Sequence, residues 1–322
     1  MPLVQLSEEQ VEVLVGRDRV LFVEVLVSLL RAVYMTNYVW NAEHAVSLGL
    51  VANPSRGKSE LLGIFNGSMP KTKLINDVSA YKIETDLLPK VRRGELLSIA
   101  ITDLTAALEK SETAKKPLIS MLLALTEEGL TYKKSYVSDV EVQKPIRLQL
   151  FFGITPDMLG KYMPSWTRSG FSSRMLYASW DYTKEQIDAI IRNKIQQPDL
   201  VPGAKKANRK IVFPKVSRDY YVKIPERFDE RIQILAESVV AETNYSYVVR
   251  RGEKEKVVEL KVLEPVRTSR ELATLLRAIC LCRHLDEDLP RENIAVNDSD
   301  FVELCRFARF LNLKKNLLAE TN

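Results

Sequence analysis

The stretch that most limits what this chain can become is Ala45 to Ser59, AVSLGLVANPSRGKS. An apolar run halts at Asn53-Pro54, and the chain then reads Gly57-Lys58-Ser59 before apolar residues resume at Leu61. A phosphate cradle needs a buried strand, a tight loop with main-chain N–H groups turned inward, a lysine for the terminal phosphates and a hydroxyl for Mg²⁺. Ala45–Val51 reads as the strand, and Asn53, Pro54, Ser55, Arg56, Gly57, Lys58 and Ser59 as the loop. Glu60–Phe65 is then the helix whose amino end faces the anion. The full pattern has glycine five residues before Gly57, where this chain has Ala52. A lysine in an ordinary turn is the plain alternative for so short a motif.

At 322 residues the chain can bury a substantial core, and 46% hydrophobic with 28% charged residues excludes a disordered or collagen-like chain. A net charge of +5 permits nucleic acid as a partner without requiring it. The cysteines Cys280, Cys282 and Cys305 form no even disulfide framework and suit a reducing, cytoplasmic setting. Cys280, Cys282 and His284 lie close in sequence, but helical spacing turns Cys282 away from the other two, which favours helix packing over a zinc site. The opening MPLVQLSEEQ is acidic where a signal peptide is basic. Val20–Tyr34 contains Glu24 and Arg31 and is too short to span a bilayer, so it reads as a buried helix and no membrane role is expected.

Farther along, Leu96–Thr102 is a continuous apolar run, as in a strand covered on both faces of a parallel sheet. Asp103 ends it, and a carboxylate there can hold the water shell of Mg²⁺ or cap a helix expected over Leu104–Leu125. Leu130–Leu150 alternates as a hairpin carrying Lys133, Lys134 and Lys144, and Leu148–Ile154 follows as a strand. Thr155-Pro156 closes that strand, and Thr155 either senses a phosphate or begins a turn. After a Pro- and Gly-marked linker, Ala204–Lys223 holds seven basic residues against Asp219 alone, among them Lys205, Lys206, Arg209 and Lys210. Phe213, Tyr220 and Tyr221 interleave with these cations, which suits phosphate contact and base stacking as well as a solvated linker. Ser269 and Asp298 are placed to cap two later helices.

Lys58 followed by Asp103 resembles the Walker A and Walker B pair of P-loop NTPases. The order Lys58, Asp103, Thr155, Arg174, Arg270 is similar to the cradle, magnesium carboxylate, sensor, finger and lid of AAA+ ATPases, the minichromosome-maintenance-like branch in particular. This resemblance implies an α/β three-layer sandwich around a parallel sheet, with N-terminal helices over 1–44, an ATPase core over 45–195, and a basic linker with a mostly helical lid over 196–322. It implies ATP and Mg²⁺ as cofactors, with Ser59 and Asp103 at the metal. Ser173-Arg174 looks like the family's S-R-F arginine finger, so Arg174 is expected to complete a neighbour's site in a homo-oligomer, with Arg168 as a rival. Arg270 is expected to reach the terminal phosphate from the lid.

The activity so implied is an ATP-driven ring or filament motor on DNA, with Lys133, Lys134, Lys205, Lys206, Arg209 and Lys210 as contacts. The chain departs from the family at Ala52, Leu104 and Thr155, where Gly, Glu and Asn are usual. Leu104 stands in place of the carboxylate that orients water, leaving Asp77, Glu84 or Glu109 as substitutes. Two other readings stay open. One is a nucleotide-gated assembly or regulatory protein that oligomerises on DNA with little or no hydrolysis. The other is a RecA-type DNA-packaging or helicase-like motor, because Gly153-Ile154-Thr155-Pro156 resembles its coupling motif; no nuclease carboxylate cluster follows residue 183.

Overall fold

The computed structural model describes residues 23–64, 70–126, 128–134, 139–182, 184, 187–188, 219–251, 254–290 and 292–313. Val23–Met35 (α1) leads through a short 3₁₀ turn to Leu48–Val51 (β1) and Lys58–Ile64 (α2). Thr72–Ile75 (β2) precedes a helix in three consecutive segments, Ala80–Lys82, Ile83–Leu87 and Leu88–Arg92 (together α3), the middle one wound as a π-helix. Ser98–Ile101 (β3), Glu112–Thr126 (α4), Leu130–Lys134 (β4), Asp139–Ile146 (β5) and Gln149–Ile154 (β6) follow. Then come Pro156–Ser169 (α5), Leu176–Ser179 (β7) and Val222–Lys223 (β8). The chain continues through Asp229–Thr243 (α6), Tyr245–Arg251 (β9), Lys254–Leu260 (β10), Pro265–Asp286 (α7), Ile294–Ala295 (β11) and Asp298–Ala308 (α8).

The central sheet runs β2-β3-β6-β1-β7, and each of its pairings is parallel. β1, β3, β6 and β7 are buried at every position, as their largely apolar composition suits strands covered on both faces, and their polar residues Ser98, Gln149 and Ser179 lie at strand ends. The chain leaves β1 toward β2 on one side and leaves β6 toward β7 on the other. Such a reversal opens a crevice at the carboxyl ends of neighbouring strands, where α/β sheets bind ligands. An α/β fold with a parallel central sheet is therefore present, as expected.

Gln149 anchors the opposite end of the sheet. Its Nε2 donates to the Val33 carbonyl (2.6 Å) and the Val46 carbonyl (2.7 Å), while its Oε1 accepts from Ser98 (2.7 Å) and Asn37 (2.7 Å). One buried amide thus ties the end of α1 to the amino ends of β3 and β6 with its hydrogen-bonding capacity met. On its other side α1 packs against α7, where Arg31 makes a bidentate pair with Asp286 (2.7 and 2.5 Å).

Three local expectations fail for identifiable reasons. The helix expected over Leu104–Leu125 is broken into Thr105–Leu108 and α4, because the Ser111 carbonyl begins a new helical ladder by accepting from Ala114 and Lys115 (both 2.9 Å). Ser269 is not a cap; Pro265 takes the first turn of α7, and the Ser269 hydroxyl donates back to the Val266 carbonyl (2.9 Å). Asn297, not Asp298, caps α8 through a reciprocal box with Asp300. Asp298 instead faces Arg231 at 3.0 Å. The thiols of Cys280 and Cys282 are both buried in α7, and burial pushes the Cys282 thiol up to about 12. The basic run up to Arg218 lies outside the described residues.

Candidate functional site

The loop after β1 is shaped by its backbone. Ser55 and Gly57 both adopt left-handed conformations (φ 62° and 83°), flanking Arg56, and α2 begins at Lys58 directly behind them. Gly57 accepts this geometry at no steric cost, and alternating handedness is how successive N–H groups come to face one concavity. Lys58 folds over the loop and donates to the Ala52 carbonyl and to the Asn53 carbonyl (3.0 Å). Burial holds the Lys58 ammonium below its ordinary value against the opposing pull of Asp103 and Glu60.

Strand pairing draws the other expected residues to the same place. β6 lies between β1 and β3, so Thr155, one residue past the Val51–Ile154 pair, stands between the loop and Asp103. A Cβ at Gly153 would collide with the Thr102 carbonyl and would lie 3.6 Å from Lys58 Cβ. That glycine lets the end of β3 and the start of α2 close on β6. Asp103 and Ser59 are both exposed, and one Asp103 oxygen accepts from the Thr105 N–H (2.8 Å). Asp103 therefore caps the short turn and still presents carboxylate to the crevice. Thr155 precedes α5 as its N-cap residue, without a side-chain cap. Ser59 and Asp103 supply an exposed hydroxyl and an exposed carboxylate, oxygen donors of the kind Mg²⁺ takes.

Among the alternative carboxylates, Asp77 is bound to Lys110 (2.6 Å), Glu84 is buried in the π-helical segment, and Glu109 is exposed beyond the turn. Leu104 is completely buried.

A second group holding the loop comes from the end of β7. Asp181 accepts from Arg56 Nε (2.9 Å) and from Asn53 Nδ2 (3.0 Å), and Trp180 Nε1 donates to the Arg56 carbonyl (3.1 Å). The Arg56 guanidinium also lies 5.5 Å from the centre of the Tyr182 ring. Burial pushes the Asp181 carboxyl up, but the Arg56 and Tyr182 N–H bonds outweigh it and hold the group below its ordinary value. The sequence contained a signal for it: Asp181 follows an apolar strand just as Asp103 does.

The two expected arginines gather at the other end of the sheet. Arg174 precedes β7 and is fixed to the Gly170 carbonyl (2.9 Å) and Glu128 (2.6 Å). Arg267 donates to Ser173 (2.6 Å), and Arg270, one turn along α7, pairs with Glu43 (2.9 Å). A cleft of about 370 Å³ lies here, lined by Glu43, His44, Glu128, Arg147 and Arg267. Arg270 is thus grouped with Arg174, not with Lys58, and Arg267 and Arg147 are cationic neighbours that sequence reading overlooked. β7 alone spans roughly 13 Å, twice the reach of an arginine side chain. Arg168 lies on α5, bonded to the Pro164 carbonyl (3.2 Å).

The hairpin β4–β5 places Lys133 and Lys134 on its outgoing strand, opposite Val140 and Asp139. Lys205, Lys206, Arg209 and Lys210 lie outside the described residues. Among the described residues no helix is long and apolar enough to cross a membrane, and no cluster of three or more His, Cys, Asp or Glu could hold a metal.

No protein-family model matches this chain, and no curated protein matches it in sequence. In structure it is similar to a full-length MCM homolog from Methanopyrus kandleri, with a TM-score of 0.46 and 11% identity. That similarity covers 97% of this chain and 63% of the other, so the chain spans less than two thirds of its neighbour's length.

Proposed function

We propose that the chain is an ATP-binding subunit of a homo-oligomer that acts on DNA, in which each nucleotide is enclosed between two subunits. The observation that carries this reading is the placement of the charged groups on one parallel sheet. Lys58, Asp103 and Thr155 meet at the carboxyl ends of adjacent strands, while Arg174, Arg267 and Arg270 meet at the amino end of β7. A finger at that distance serves a neighbour's phosphates, not its own.

In this reading the N–H groups of the Ser55–Ser59 loop and Lys58 hold the β- and γ-phosphates. Binding exchanges the Ala52 and Asn53 carbonyls on Lys58 for phosphate oxygens, a stronger partner for an ammonium. Ser59 and Asp103 would hold Mg²⁺, which supplies charge neutralisation across the phosphates. Thr155 is placed to hydrogen-bond the terminal phosphate or the water next to it. Arg174 from the adjoining subunit stabilises charge that develops on the transferred phosphoryl group. Lys133 and Lys134 on the β4–β5 hairpin are the candidates for DNA contact that fall within the described residues.

One observation favours a nucleotide-gated assembly with slow hydrolysis over a fast motor. The residue after Asp103 is the buried Leu104, and Asp77 is already paired with Lys110. Nucleotide binding and hydrolysis, measured with and without DNA, separate these readings. Binding without turnover selects the assembly; DNA-stimulated turnover selects the motor; no binding rejects both. Mixing Arg174→Ala with Lys58→Ala subunits tests the shared site, because only a finger acting between subunits restores activity in the mixture.

A further inference from the structure

The end of β7 does more than terminate a strand. Trp180 Nε1 fixes the Arg56 carbonyl from outside the loop, and Asp181 fixes both the Arg56 guanidinium and the Asn53 amide. The Arg56–Gly57 peptide is trans, so its C=O and N–H point in opposite directions. Holding the carbonyl on Trp180 therefore turns the Gly57 N–H the other way, toward the concavity that Lys58 covers. Arg56 sits between the two left-handed residues, so its peptide decides whether the alternation that lines up the N–H groups is kept.

We infer that Trp180 and Asp181 are positioning residues that preset the phosphate loop for its anion by holding the Arg56 peptide from outside. This rests on the reading of Ser55–Ser59 as a nucleotide-phosphate site. Asp181 does not touch the phosphates; it acts through Arg56 and Asn53. A loop held in this way by Trp180 and Asp181 needs less ordering on binding, and the saving appears as affinity. Trp180 also places an indole against the loop, where a change in loop conformation alters its fluorescence.

The test is calorimetric titration of the full chain with Mg-ATP, alongside thermal melting of each variant. Asp181→Ala is expected to weaken binding about tenfold, the size of one charge-assisted hydrogen bond. Asp181→Asn, which still accepts from Arg56, is expected to recover most of that loss. The Arg56→Ala and Asp181→Ala changes should be non-additive, the double variant binding about as well as the worse single one. Trp180→Phe keeps the ring and loses the donor, with an expected loss of about three- to fivefold. Equal affinity of the native chain and Asp181→Ala overturns the positioning role and leaves the nucleotide reading intact. Failure of the native chain to bind Mg-ATP overturns the nucleotide reading first. If Asp181→Ala melts below the assay temperature, Trp180→Phe decides, and unchanged affinity there overturns the inference.

Discussion

At the carboxyl end of the central sheet the polar groups are set by the backbone, whereas at the amino end they are set by one another. Lys58, Asp103 and Thr155 come together because β1, β3 and β6 are adjacent, because Gly57 takes the left-handed turn before Lys58 and because Gly153 allows close approach. Arg174, Arg267 and Arg270 come together through pairing with Glu128, Ser173 and Glu43, which lie on three separate parts of the chain. A backbone cradle accepts an anion with little rearrangement, since its donors are already aimed. A nest of ion pairs must release one partner to accept another. On the proposed function, the first end would hold the nucleotide and the second would meet a neighbouring subunit.

That contrast can be broken experimentally. Arg174→Ala should reduce any ATP turnover about a thousandfold while leaving nucleotide binding within about twofold if, as proposed, Arg174 acts on the transition state. Equal loss of binding would place Arg174 in its own subunit's site. Lys58→Ala should weaken Mg-ATP binding about a hundredfold, measured by titration, with oligomerisation in the absence of nucleotide unchanged. Gly153→Ala should destabilise the fold by about 1–3 kcal/mol, read by chemical denaturation, because the added methyl meets the Thr102 carbonyl. Glu128→Gln carries the opposite sign: removal of the competing charge should raise nucleotide-dependent assembly about two- to threefold, measured by sedimentation at low salt.

The smallest effect concerns pH. The Asp181 carboxyl is held below its ordinary value of 3.8, so its pair with Arg56 contributes fully above that pH and is lost only as pH falls through the lower folded value. Nucleotide affinity should therefore show no Asp181 titration between about pH 6 and 8, and a carboxylate-like inflection there that Asp181→Asn abolishes would contradict the clamp.

Features that depend on local chemistry could be read before any coordinates. The apolar runs around Leu48–Val51, Ser98–Ile101 and Gln149–Ile154 are strands, and Lys58 and Asp103 follow two of them as their sequence spacing suggested. Caps were less legible. Asn297 and Asp298 are both good caps, and only the reciprocal bond to Asp300 decides between them. The strand order was not legible at all, because nothing local says that β6 inserts between β1 and β3. For that reason Arg270 read as a partner of Lys58, whereas pairing with Glu43 takes it to the other end. Asp181 was overlooked because its partner, Arg56, lies more than a hundred residues earlier, and only the parallel pairing of β1 with β7 makes them neighbours.

β7 has a mechanical consequence. Arg174 lies two residues before this four-residue strand and Asp181 two residues after it, so the strand joins the two. Ser179, at its end, is bonded to Asn312 and, through the main chain, to Phe310 (2.8 Å). In any assembly that seats Arg174 against a neighbour's phosphates, the grip on one subunit's own loop and the reach toward the next are the two ends of the same stiff element. On the proposed function, a displacement at one nucleotide would reach the adjoining subunit through β7.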